Sequence, residues 1–154
     1  MKEFDPQREA RVWQRVKDQT HEKPAPQQND NLPMLIMEQL QLTAAYMQLA
    51  QQMPGKEGAI FVRLAREAKA QAVCLKGILI LMTGQNSDTG VSQPQISPTD
   101  VMLRRCYGKE LRLLKTYESR RSDPEYGPVF ERMAARGRDH CCTLLELIGG
   151  FGKK

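Results

Sequence analysis

The chain has 154 residues, the length of one domain, of which 40% are hydrophobic and 27% charged. Gln, Met, Leu, Ala and Arg are abundant and β-branched residues are few, so the composition favours an all-α fold. The net charge of +5 is spread over basic residues that alternate with acids, which is typical of solvated helix faces and disfavours a nucleic-acid surface.

Residues 1–31 predict a short accessory helix followed by a linker. Asp5 is the expected N-cap and Pro6 the first helical residue, and Trp13 provides an apolar edge to cover the bundle or a neighbouring subunit. The stretch "HEKPAPQQNDNLP" predicts the linker. No stretch resembles a signal peptide, and the longest apolar run, "GILILM", is too short to span a bilayer, so we expect a cytoplasmic protein without membrane contact.

Residues 32–154 predict a four-helix bundle. Apolar periodicity and turn residues place the helices at about 34–53, 56–83, 99–122 and 126–148. The first ends at "PG", the second at Gly84 and the fourth at "GG", while Thr99 or Asp100 caps the third. Two connections are short and one, "GQNSDTGVSQPQISP", is long, which predicts an up-down antiparallel bundle with one long crossover between helices two and three.

Each predicted helix has an apolar stripe with one hydrogen-bonding residue near its middle. These residues are Gln39, Gln71, Glu110 and His140. Because a buried polar group without a partner is costly, we expect the four to satisfy one another in a core network or to surround an ion.

The stripes also repeat along the chain. The interval is 71 residues between helices one and three and 69 residues between helices two and four. The matched pairs are Gln39 and Glu110, Tyr46 and Tyr117, Ala68 and Gly137, and Gln71 and His140. Two helical hairpins, at about 32–84 and 99–150, are therefore predicted to derive from one unit with a two-fold relation through the core.

Three segments carry a family resemblance: "EQLQLTAAYMQLA", "LAREAKAQAVCLKGILILMTG" and "YGKELRLLKTYESRRSDPEYGPVFERMAARGRDHCCTLLELIG". Over about residues 32–150 the chain resembles the ferritin-like, rubrerythrin-related proteins. In that family, helices one and three each offer a Glu seven residues before a Tyr or similar aromatic, and helices two and four each offer Glu-x-x-His. These residues together hold a di-iron or di-manganese centre.

The resemblance implies that most of these ligands are lost. Glu110 and His140 are kept, whereas the other four ligand positions hold Gln39, Ala68, Gln71 and Gly137. Tyr46 and Tyr117 take the places of the aromatic residues that surround the ligands.

Glu67 and Glu38 are possible substitute ligands, because each lies one residue from a ligand position. One residue turns a side chain by about 100° around the helix axis. We therefore expect both, like Asp139, to point out of the seam, unless the alignment of helix two is displaced by one residue in favour of Glu67.

The four cysteines, Cys74, Cys106, Cys141 and Cys142, contain no C-x-x-C spacing, which disfavours a zinc knuckle or a thioredoxin-type pair. Adjacent side chains diverge by about 100° on a helix, so Cys141 and Cys142 do not easily bind one ion together. All four are predicted to be buried, reduced thiols.

Three functions are open. The first is a non-catalytic bundle with a polar core network and no cofactor, acting as a homodimer or with a protein partner. The second is a metal oxidoreductase for peroxide reduction or iron oxidation, holding iron or manganese through Glu110 and His140 with Glu67 or a thiolate of Cys74 or Cys141. The third, motivated by the pI of 9.1, is a DNA-associated ferritin relative.

Overall fold

Four α-helices make up the part of the chain that the computed structural model describes, residues 25–86 and 95–152. The helices are α1 (Ala25–Gln52), α2 (Lys56–Thr83), α3 (Thr99–Ser119) and α4 (Gly127–Gly152). These ranges contain no strand, which confirms the all-α prediction. The predicted accessory helix, with Asp5, Pro6 and Trp13, lies outside the described residues.

The end of α2 follows the prediction. Gly84 has a φ of 73°, in the left-handed region that glycine adopts without strain, and its N–H donates to the carbonyl of Ile80 at 2.7 Å. At the start of α3, Pro98 occupies the N-cap position and no side chain caps the helix, so the expected cap by Thr99 or Asp100 is wrong.

Three other helix ends differ from the prediction by three or more residues, and the first of these is α3, which ends at Ser119 instead of at about residue 122. Helix α1 begins at Ala25, nine residues early, and contains Pro33, which lacks the N–H for one helical hydrogen bond but does not end the helix. Helix α4 runs through the "GG" that was expected to stop it. In these last two places packing outweighs local preference: Ile36 is fully buried beyond Pro33, and Ile148 packs on the core just before the glycines.

The helices pack in two hairpins. Helix α1 packs along α2, and α3 along α4, while α1 also contacts α3. Tyr46 stacks on Phe61 with ring centroids 6.5 Å apart, and Tyr117 stacks on Phe130 at 6.3 Å. The two stacks lie at the sequence intervals of 71 and 69 residues, so each hairpin holds the same aromatic pair.

Gly137 lies where α4 meets α3. A Cβ at this position would lie 3.4 Å from the Cβ of Leu114, an ordinary van der Waals distance. We expect Gly137→Ala to raise the free energy of unfolding by about 1 kcal/mol, measured by urea denaturation. Gly108→Ala is the matched control, because its new Cβ would meet only the flexible end of the Arg112 side chain, at 3.8 Å. A loss of stability at Gly137 alone would show that the helices need the glycine to approach each other.

Candidate functional site in the bundle core

The four polar residues at the middle of the stripes are all buried, at 1% to 5% exposure. They lie in two pairs. The Nε2 of Gln39 donates to the Oε1 of Gln71 at 3.1 Å, and the Nδ1 of His140 lies 2.8 Å from the Oε2 of Glu110. Within the described residues, no hydrogen bond joins one pair directly to the other.

Two tyrosines extend these pairs across the bundle. The hydroxyl of Tyr46, on α1, donates to the Oε2 of Glu110 at 2.6 Å. The Nε2 of Gln39 donates to the hydroxyl of Tyr117, on α3, at 2.7 Å. Each tyrosine therefore contacts the opposite hairpin. The two contacts are equivalent in the repeat, because the 71-residue interval matches Tyr46 with Tyr117 and Gln39 with Glu110. The Gln39–Gln71 and Glu110–His140 pairs are also equivalent in the repeat, through the intervals of 71 and 69 residues.

The tyrosines stay protonated in this setting. Burial raises the pKa of Tyr46 well above its usual value, and the charge of Glu110 raises it further. Burial also raises the pKa of Tyr117. Tyr46 is therefore a lasting hydrogen-bond donor to Glu110, which accepts from the phenol and from the imidazole at one oxygen.

Glu67 also reaches the site. Its Oε1 lies 2.7 Å from the Nε2 of His140, so the expectation that it points out of the seam is wrong. Two methylene groups carry the carboxylate inward from a position where the side chain is 24% exposed. The alignment of α2 is not the cause, because Ala68 is fully buried in the core. Glu38 does not join the site, and its Oε1 is buried without a hydrogen-bond partner.

Arg63 and Asp139 border the site on its outer side. The Nη1 of Arg63 lies 3.4 Å from the Oε1 of Glu67 and 3.5 Å from the Oδ2 of Asp139. Asp139 is 61% exposed, in line with its expected outward direction. Sequence reasoning missed Arg63, although its position four residues before Glu67 is the spacing of a helical ion pair.

His140 is placed to carry a positive charge. Both ring nitrogens face carboxylates, and both can donate only in the imidazolium form. Burial acts to lower the pKa of His140, but the hydrogen bonds and charges of Glu110 and Glu67 outweigh it, and the pKa rises above its usual 6.5. Burial acts to raise the pKa of Glu67, yet His140, Arg136 and Arg63 lower it below its usual 4.5.

These shifts predict a pH dependence of stability. The native state holds the His140 proton more tightly than the unfolded state, so its contribution is complete below about pH 6.5 and is lost as the pH rises through the native pKa. The lowered pKa of Glu67 adds stability above about pH 4.5 that is lost on acidification. We expect the free energy of unfolding to fall as the pH rises above about 6.5, by at most about 1.4 kcal/mol per pH unit.

The measurement is urea denaturation across that pH range. In His140→Gln the fall is expected to flatten, whereas His21→Gln, which removes the only other histidine, is expected to keep it. An unchanged slope in His140→Gln would contradict this assignment.

The residues at the six positions that the sequence resemblance matches to metal ligands do not fit a di-metal centre. Gln39 and Gln71 are neutral amides held by each other, Ala68 and Gly137 have no donor atoms, and only Glu110 supplies a carboxylate. Two iron or manganese ions favour several anionic oxygen ligands. A different group has suitable donors: one ligand atom each from Glu67, Asp139 and His140 lies within 4.8 Å of the others.

The thiols take no part in this group. Cys106 and Cys141 are buried as predicted, and burial raises the pKa of the first to about 12 and of the second to about 11. Cys74 and Cys142 are exposed, so the prediction of four buried thiols is wrong for these two. Both lie on the outward faces of their helices, and composition alone does not show which cysteines face outward.

No protein-family model matches the chain, and no curated protein or solved structure matches it. Among the helices of the described ranges, none combines the length and the apolar character needed to cross a membrane.

Proposed function

We propose that the chain is a ferritin-like, rubrerythrin-related bundle that has lost its di-metal centre and acts through assembly, without catalysis. The observation that carries the proposal is the position of His140, whose two ring nitrogens lie 2.8 Å from Glu110 and 2.7 Å from Glu67. The positive charge of the protonated imidazole, in place of metal ions, offsets the negative charge of the carboxylates around it. The paired contacts at intervals of 71 and 69 residues support an origin from two hairpins with a long crossover between α2 and α3.

The test of the lost centre is elemental analysis of the purified protein before and after loading with ferrous or manganous ions. We expect less than about a tenth of an equivalent per chain, since neutral amides and missing side chains bind these ions poorly. One or two equivalents, lost on Glu110→Ala or His140→Ala, would contradict the proposal and lead to peroxide assays.

An exposed apolar stripe on α2 supports action through assembly. It consists of Val73, Gly77 and Ile80, spaced by four and three residues, and of Leu81, which follows Gly77 by four residues and is 75% exposed. This spacing is that of a helix-pairing seam. We propose that two copies associate through α2 as a homodimer. The four free cysteines suit a cytoplasmic location, where thiols stay reduced.

Light scattering after size-exclusion chromatography tests the dimer. We expect the wild type to have twice the 17.5 kDa mass of one chain, and Leu81→Arg to be a monomer. Leu145→Arg is the matched control, because Leu145 is also an exposed apolar residue, at 50%, but lies on α4. A monomeric wild type, or equal loss of the dimer in both variants, would contradict assembly through α2.

A second candidate function is a single-metal oxidoreductase, favoured by the convergence of Glu67, Asp139 and His140. These residues would hold the ion, and Glu110 would orient the imidazole through Nδ1, as carboxylates commonly do for metal-binding histidines. The ion would supply redox chemistry of the rubrerythrin type, peroxide reduction or iron oxidation. Asp139→Asn separates the two functions, because Asp139 is mostly exposed and its loss would abolish ion binding without unfolding the core.

A further inference from the structure

A groove of about 180 Å³ runs between α2 and α4. Its polar lining comes from Gln71, Arg132 and Arg136, with Cys74 at one side, and its apolar lining includes Val129 and Met133. We propose that this groove binds a small organic oxyanion, either a carboxylate or a phosphate monoester. The two arginines and Gln71 hold the anionic group, and the apolar side chains contact the rest of the ligand. This site is independent of the function proposed above.

The two arginines are available for an anion. Arg132 and Arg136 lie four residues apart on one face of α4 and border the same groove. In the described part of the chain, no carboxylate oxygen lies within 4.0 Å of a nitrogen of either side chain. Arg136 acts on Glu67 only at longer range, where its charge helps to lower the pKa of that carboxyl. Two neighbouring guanidinium groups repel each other, and an oxyanion between them accepts hydrogen bonds from both.

Gln71 supplies the third donor from the opposite helix. It is 5% exposed, and its Oε1 accepts a hydrogen bond from Gln39, which fixes the orientation of the amide. No acceptor in the described ranges takes a hydrogen bond from its Nε2. Because Gln71 lines the groove, an oxygen bound there can accept a hydrogen bond from this Nε2.

The size and lining of the groove favour an organic anion over a bare inorganic ion. A volume of about 180 Å³ is far more than one water needs. Val129 and Met133 pack on or within the core, so the apolar wall that they form is fixed. Inorganic phosphate would leave this wall in contact with water, whereas a ligand with a small apolar group would cover it.

Calorimetric titration of the full chain with phenyl phosphate, benzoate and neutral benzyl alcohol tests the proposal. We expect saturable binding of at least one of the anions and none of benzyl alcohol. Affinity is expected to fall at least about tenfold in the double variant Arg132→Gln, Arg136→Gln, which removes two charged donors. Arg138→Gln is the matched control, because Arg138 lies on α4 but pairs with Glu118 and Glu131.

The exposed thiol beside the groove gives a second readout. In a Cys142→Ser background, Cys74 is the remaining exposed cysteine, and the bound anion is expected to slow its labelling by a maleimide. Tighter binding of phenyl phosphate assigns a phosphate monoester, and tighter binding of benzoate assigns a carboxylate. Absence of saturable binding of either anion by the wild type up to about 10 mM would overturn the proposal. Affinity that the double variant leaves unchanged would overturn it as well.

Discussion

Glu110→Ala is expected to lower the free energy of unfolding by about 3–5 kcal/mol, the usual cost of breaking a buried charged pair. Glu110 is 1% exposed, and its Oε2 accepts hydrogen bonds from Tyr46 at 2.6 Å and His140 at 2.8 Å. Without the carboxylate, a phenol and one imidazole N–H remain in the core with no acceptor. Urea denaturation at pH 6, followed by circular dichroism, measures the loss.

Glu67→Ala is the matched control for this prediction. It removes the carboxylate at the other ring nitrogen of His140, but its side chain is 24% exposed, so water can replace it. We expect a loss of about 1 kcal/mol or less. A double-mutant cycle of Glu110→Ala with Tyr46→Phe should give a coupling energy between about 0.5 and 3 kcal/mol. A loss of about 1 kcal/mol or less in Glu110→Ala, as in the control, would show that the buried pair contributes little stability.

The same contacts join the two hairpins. Helices α1 and α3 provide the main packing between the hairpins, and the Tyr46–Glu110 and Gln39–Tyr117 hydrogen bonds both cross that junction. Hydrogen bonds require defined partners, whereas apolar contacts tolerate sliding. The polar residues therefore fix the register of one hairpin on the other, in addition to closing the core.

The sequence predicted which residues enter the core but not how they pair. The four stripes that bury Gln39, Gln71, Glu110 and His140, one on each helix, follow from helical periodicity alone, which is a local property. The hydrogen-bond partners depend on the arrangement of the helices in space, so the contacts of each tyrosine with the opposite hairpin could not be derived from spacing. Glu67 shows a second limit, because a helical wheel gives the direction of the Cβ and not the reach of a long side chain.

Helix ends show the same division between local and tertiary causes. Gly84 was predicted correctly because a left-handed C-cap is a requirement of the backbone itself. Pro33 and the glycines near the end of α4 only lower the local preference for helix, and packing of neighbouring apolar residues outweighs that preference.

If the proposed loss of a di-metal centre is right, placing the ferritin-like ligand pattern at the six matching positions is expected to create a metal centre. The variant carries Gln39→Glu, Ala68→Glu, Gln71→His and Gly137→Glu beside the native Glu110 and His140. Leu114→Ala is added because a Cβ at position 137 already lies 3.4 Å from Leu114, and a longer side chain needs the space of the leucine. After ferrous loading, we expect about two iron ions per chain by elemental analysis, since four carboxylates can offset the charge of the ions.

The matched control shares Gln71→His and Leu114→Ala with the restored variant. It carries Ala68→Gln and Gly137→Gln in place of the two glutamates, and Gln39 is unchanged. It fills the core with side chains of the same size but adds no carboxylate to the native Glu110 and Glu67, so we expect it to bind less than about a tenth of an equivalent of iron. Metal bound by the restored variant and not by the control therefore depends on the restored charges. Circular dichroism first verifies that both variants are helical. If the restored variant folds and stays metal-free, the alignment of α1 to α4 with the ferritin-like ligand pattern is wrong, and the hydrogen bonds of Gln39, Gln71, Glu110 and His140 do not mark a former metal site.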